Sequence, residues 1–250
     1  MAESECAHLD GRFFFRQKAE DGVYVGRTTC DLVRTVGAAR LRQIQNLADF
    51  GEKPWVNRIA HAGDHPAVLG FLVERAVLGI LVTSGTKFAG PEVEFDKALE
   101  LQKFSGKFPN DAPKRNNKAT IYVPTAYNYA AVDAILAARP KRRDALGESM
   151  AVVVGIQVTI SDSHSDSESA FMRSWQDWED LMASEVTIFR FIWIVETVGG
   201  DLTENWENVP EKIVTLRGKR SIVHPAYQRR YISMMTFNGM MGERLKEARN

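Results

Sequence analysis

Cysteine is scarce. Cys6 and Cys30 are the only two in 250 residues, and neither sits in a CxxC or Cys/His spacing. A disulfide framework and a zinc-finger site are therefore excluded, and the thiols point to a reducing compartment or are incidental. Net charge is missing too. Lys plus Arg and Asp plus Glu stand at 32 each, so no global field draws the chain to nucleic acid or membrane, and any electrostatic footprint is local. Long apolar runs are also lacking. The longest charge-free stretch, Ala119 to Val132, has 14 residues and contains Pro124 and Asn128, too short and too polar to span a bilayer. The opening MAESECAHLDG has no apolar segment of the signal-peptide kind. The expectation is a soluble chain with no membrane partner. There is no internal repeat, no GxxxxGK[ST] phosphate loop, and no GxSxG, HExxH or kinase signature. Ser84-Gly85-Thr86-Lys87 has the wrong order for a phosphate loop. Gly63 and Pro66 spoil a helical metal pair at His61 and His65.

What is present is ordinary globular composition, 44% apolar and 26% charged, in a chain long enough to bury a sizeable core. Gly11–Gln17 reads as a strand. Thr28 to Phe50 reads as a helix, with Leu32, Val33, Val36, Ala39, Leu41, Ile44 and Leu47 at helical intervals before Gly51 and Pro54. Residues 1–53 form an N-terminal extension or small subdomain, and residues 54–250 the main domain. Pro66 to about Thr83 is a helix apolar on nearly every face, interrupted only by Glu74 and Arg75, and so belongs in a domain centre. Glu92–Phe104 reads as another helix. Extended runs follow at Thr120–Val123, Ala130–Leu136 and Met150–Ile160, the last apolar enough to be a central strand. A helix then runs to Met182, with Phe171, Trp175, Trp178 and Met182 along one stripe. Val186–Val195 is a second central strand, and Ile213–Leu216 and Ile232–Phe237 add two more. The order is that of an α/β fold with a mixed sheet and helices on its faces. The helix between Ile160 and Val186 serves as a crossover joining parallel strands.

The informative residues are the polar ones inside apolar elements. Glu74 interrupts the apolar helix, Asp133 the strand-like AAVDAIL, and Gln157 the strand VVVGIQVTI, with Thr159 on the same face two residues on. A carboxylate in an apolar interior costs several kcal/mol unless it is paired, hydrogen-bonded or metal-bound. Two readings stand side by side. Either the groups share one polar site, or each is satisfied separately: Glu74 by Arg75 or another Arg, Asp133 at a strand end, Gln157 by a loop. The Ser-rich segment after Gln157 holds His164, able to bond phosphate or metal, in what is otherwise a turn capping the next helix. Arg139-Pro140-Lys141-Arg142-Arg143 places four positive charges in five residues, either a phosphate contact or a solvated turn.

Glu on an apolar helix, a strand Asp, and a polar-x-polar pair on the next strand resemble the PD-(D/E)xK superfamily of restriction-endonuclease-like proteins. Within it, GFLVERAV, YNYAAVDAIL and GIQVTISDSHSDS are similar to the nuclease-like domain of crinkler effectors and retrotransposon-hot-spot proteins, over residues 54–198. The resemblance implies a restriction-endonuclease-like fold with Glu74, Asp133, Gln157 and Thr159 at the catalytic positions. It implies Mg²⁺ on Glu74 and Asp133, and DNA or a host protein as partner. Arg139, Lys141, Arg142, Arg143 and His164 would then touch nucleic acid. It further implies a secreted effector acting in a host nucleus; without it, an intracellular protein is expected. Thr159 departs from the pattern, because it stands where the superfamily carries a lysine that orients the attacking water. Gln157 likewise replaces a carboxylate, although an amide oxygen can still coordinate a hard cation. The resemblance thus leads to two expectations, a metal-dependent DNA endonuclease or a catalytically inactive binding module.

Overall fold

The computed structural model describes residues 14–18, 24–28, 46–62, 66–85, 100–104, 109, 119–124, 132–139, 150–160, 167–184, 186–199, 203–215 and 221–250. The chain divides into two compact units, Met1–Gln45 and Asn46–Asn250. In the first, strands β1 (Phe14–Lys18) and β2 (Tyr24–Thr28) form an antiparallel hairpin. β1 coincides with the strand expected there. Most of the helix expected from Thr28 to Phe50 lies outside the described residues. Its final turn is α1 (Leu47–Phe50), capped by the Asn46 side chain and closed by Gly51, and it belongs to the second unit.

The second unit is a sheet between two helical layers. α2 (Lys53–Asn57) begins on Pro54, which is tolerated in a first turn. A 3₁₀ turn, Arg58–His61, precedes the central helix α3 (Pro66–Ser84). Gly79 of α3 meets Gly51 backbone to backbone: a Cβ on Gly79 would lie 2.4 Å from the Gly51 nitrogen, so α1 docks only because both positions lack a side chain. The strands are β3 (Glu100–Phe104), β4 (Ala119–Pro124), β5 (Ala134–Ala138), β6 (Met150–Thr159), β7 (Val186–Val195), β8 (Glu207–Val209) and β11 (Tyr227–Ser233). They form a seven-stranded sheet in the order β3-β4-β5-β6-β7-β11-β8. β4, β5 and β6 run antiparallel in turn, whereas β6, β7 and β11 are mutually parallel. β9 (Lys212–Thr215) and β10 (Ser221–His224) pair separately as an antiparallel ribbon.

Between β6 and β7 the crossover is two helices, α4 (Ser167–Met172) and α5 (Trp175–Met182), rather than the single one expected. Ser174 breaks the run by donating its hydroxyl to the Phe171 carbonyl at 2.9 Å, and its backbone starts α5. The apolar stripe survives the break, with Phe171, Trp178 and Met182 buried. Two other expectations fail. Glu100–Phe104 is a strand, parallel to β4, not the end of a helix. Sheet pairing overrides a short pattern compatible with either structure. Ile232–Phe237 is a strand only to Ser233, whose hydroxyl accepts from the Thr236 amide and caps α6 (Met234–Phe237). α7 (Gly239–Arg249) follows.

Strand alternation sends two sets of side chains into two cores. On one face Val152, Val154 and Ile156 of β6 pack with Leu69, Val73, Val77 and Leu81 of α3 and with Met241 and Leu245 of α7. On the other, Ala151 and Val153 pack with Phe171, Trp178 and Met182 of the crossover helices and with Phe189 and Phe191 of β7. Gly155 belongs to that second face, since a Cβ there would come within 2.9 Å of the Phe191 ring and 3.0 Å of Phe171.

Candidate functional site

Where β6, β7 and β11 end together, their carboxyl ends line up, the edge at which open α/β sheets usually bind ligands. Pairing places Gln157 opposite Trp193 and Trp193 opposite Tyr231. Asp133, the residue before β5, continues that row, its amide donating to the Ile156 carbonyl at 2.9 Å. By the two-residue period the row shares the face of Gly155, the face covered by α4 and α5.

Asp133 and Gln157, expected together from sequence, are in direct contact. The Gln157 amide nitrogen donates to Oδ2 of Asp133 at 2.7 Å, and the Val158 backbone N–H donates to the same oxygen at 2.8 Å. Asp133 thus ties the end of β6 to the start of β5. Gln157 turns its amide nitrogen, not its oxygen, toward the carboxylate. Thr159 follows one pleat further along the same face, opposite Val195.

Glu74 does not belong to this row. Its helix, α3, packs on the opposite face of the sheet. There Glu74 Oε1 pairs with the guanidinium of Arg75 at 2.5 Å, and Arg75 is itself buried. Arg139 donates from Nη2 to the Leu181 carbonyl at 2.7 Å, anchoring the last turn of α5. Lys141, Arg142, Arg143 and His164 lie outside the described residues.

A second cluster on the crossover face was not foreseen. Tyr227, Arg229 and Tyr231 alternate along β11 and so share a side. Arg229 reaches Glu207 Oε2 from Nη2 at 3.0 Å and Glu168 Oε2 from Nη1 at 3.4 Å, joining β11 to β8 and α4. Burial opposes the Arg229 charge, but Glu168 and Glu207 outweigh it and raise its pKa further. Burial, reinforced by a hydrogen bond to Glu168 and that residue's charge, pushes the Tyr227 hydroxyl well above its ordinary value. Tyr227 is therefore held protonated, a donor rather than a base. Trp193 and Tyr231 stack with ring centroids 6.3 Å apart and planes 9° from parallel. The period-two spacing in YQRRYIS was the available sequence signal, but nothing in it identified Glu168 as the partner.

The donor set does not fit the Mg²⁺ that the resemblance implies. Asp133 Oδ2 already accepts two hydrogen bonds, Gln157 presents a donor, and Glu74 neutralises Arg75 from the far side of the sheet. Among the described residues no group of three or more His, Cys, Asp or Glu side chains could hold a metal ion. No described helix is long and apolar enough to cross a membrane. No family model, curated protein or solved structure matches the chain.

Proposed function

We propose that this chain is a nuclease-like fold that holds nucleic acid without hydrolysing it. The reading is supported by the order of elements: a helix bearing Glu74, a strand immediately preceded by Asp133, and an adjacent strand bearing Gln157 and Thr159. The observation that carries it is the closure of Asp133 on Gln157 and Val158. A carboxylate whose oxygen is filled by an amide and a backbone N–H acts as a strand-end clamp. The uncharged Thr159 supplies no lysine ammonium to orient water. Phosphate contact falls to the basic run that follows β5, Lys141, Arg142 and Arg143, while Arg139 is engaged in holding α5. A host nucleus, as the resemblance implies for effectors of this kind, is the compartment in which such binding would act.

Fluorescence anisotropy with labelled single- and double-stranded DNA across a salt series tests the binding. Affinity is expected to fall log-linearly with salt, and the Arg142→Glu/Arg143→Glu double variant to bind about tenfold more weakly at low salt. Absence of binding, or binding indifferent to salt and to that variant, overturns the nucleic-acid assignment. Salt-indifferent capture of a host protein would point to a protein partner instead.

A further inference from the structure

We propose that the β9–β10 ribbon is an acid-released element, held against the body by neutral His224 and freed when that ring takes a proton. His224, the last residue of β10, is 0% exposed. Neither of its ring nitrogens has a hydrogen-bond partner among the described residues. The charged groups acting on it are Lys212, directly opposite on β9, and Arg173, at the break between α4 and α5. Both are cations.

Trp175 secures the ribbon to the body. Its indole Nε1–H donates to the Val223 carbonyl at 2.7 Å, and its ring meets Phe189 of β7 edge-on at 6.4 Å. The residue that makes this bond therefore precedes the buried histidine by one position. The opposite side of the ribbon is open: Ile213 and Val223, a cross-strand pair, are 71% and 40% exposed. A two-stranded ribbon has little stability of its own, so it is a unit that can leave without the sheet unfolding.

A neutral imidazole in this position forgoes two hydrogen bonds. An imidazolium would be a buried charge without an acceptor among the described residues, beside two further positive charges, a far larger cost. Undocking returns the ring to water and takes it away from Arg173; Lys212 travels with the ribbon, but water screens its charge. Burial first, then Lys212 and Arg173, hold the pKa of His224 below its ordinary 6.5. The released ring titrates near that ordinary value while the docked ring is still neutral, so the released form binds more protons. The histidine's contribution to docking is therefore fully present well above pH 6.5, and acidification favours release, by at most about tenfold per pH unit, until the docked ring itself titrates. This device does not depend on the nucleic-acid reading.

The test follows the Trp175 indole N–H resonance of the full chain, assigned with Trp175→Phe, from about pH 7.5 to about pH 5, the range of histidine titration. The wild type is expected to show loss or solvent exchange of this resonance as pH falls below 6.5, while His224→Phe keeps it throughout. Lys212→Glu, which places an acid across from the ring, is expected to move release to lower pH, and it keeps the test valid if His224→Phe folds poorly. An indole signal unchanged over this range in the wild type, or the same transition persisting in either variant, overturns the proposal.

Discussion

If Asp133 is a clamp rather than a metal ligand, its removal destabilises the protein. In Asp133→Ala the Val158 N–H, almost buried, loses its acceptor, and the half-buried Gln157 amide must turn to water. A stranded buried donor costs about 1–3 kcal/mol, and a partly exposed one less. The expected loss is about 2–3 kcal/mol. Asp133→Asn keeps one oxygen in the place of Oδ2, where it accepts from both the Val158 N–H and the Gln157 amide, so only the charge assistance disappears, about 1 kcal/mol. Equilibrium urea unfolding of the three proteins, with and without Mg²⁺, measures both effects. A carboxylate kept for metal chemistry behaves in the opposite way: its removal is neutral or stabilising, and Mg²⁺ raises wild-type stability by mass action. Either result would refute the clamp.

Glycine offers a paired test on α3. Gly70→Ala, with nothing within 4 Å of the added methyl, should stabilise by about 0.5–1 kcal/mol, whereas Gly79→Ala, driven into the Gly51 backbone, should lower the thermal midpoint. Ala183 closes α5 with φ 44°, in the left-handed region. Ala183→Gly is therefore expected to stabilise by up to about 1 kcal/mol in urea. Arg229→Met removes the cation shared by Glu168 and Glu207 and is expected to cost about 1–2 kcal/mol, discounted because the side chain is 31% exposed. At Glu204, burial works to raise the pKa, but the Ser233 amide, the Thr236 and Ser233 hydroxyls and Arg230 outweigh it, holding the pKa below 4.5. Its contribution is thus complete above pH 4.5 and lost as pH falls through the depressed value. Urea midpoints of wild type and Glu204→Gln should converge below that point.

The elements legible in the sequence were those whose apolar run exceeds what a surface segment tolerates. α3, β6 and β7 lie where their hydrophobicity puts them, and the crossover between β6 and β7 joins parallel strands as connection rules require. β3 was misread because ELQKF is short and fits either period, and the free edge of β4 decided its structure. The polar residues were correctly singled out as needing partners. Which face each addresses was not legible: Glu74 and Gln157 are separated by the thickness of the sheet. The side on which α3 lies depends on packing between segments far apart in the chain. Arg75, the neighbour of Glu74, was visible as its simplest partner, and the structure places it there. Glu168, by contrast, sits in a serine-rich stretch that looks solvated until β11 brings Arg229 and Tyr227 against it.

The most direct test of the central claim is incubation of purified protein with plasmid and single-stranded DNA in Mg²⁺ or Mn²⁺, wild type beside Asp133→Asn, with product read on gels. Retained DNA binding and no cleavage above the variant's background is the predicted outcome. Cleavage by the wild type that requires the metal and vanishes in Asp133→Asn would contradict it.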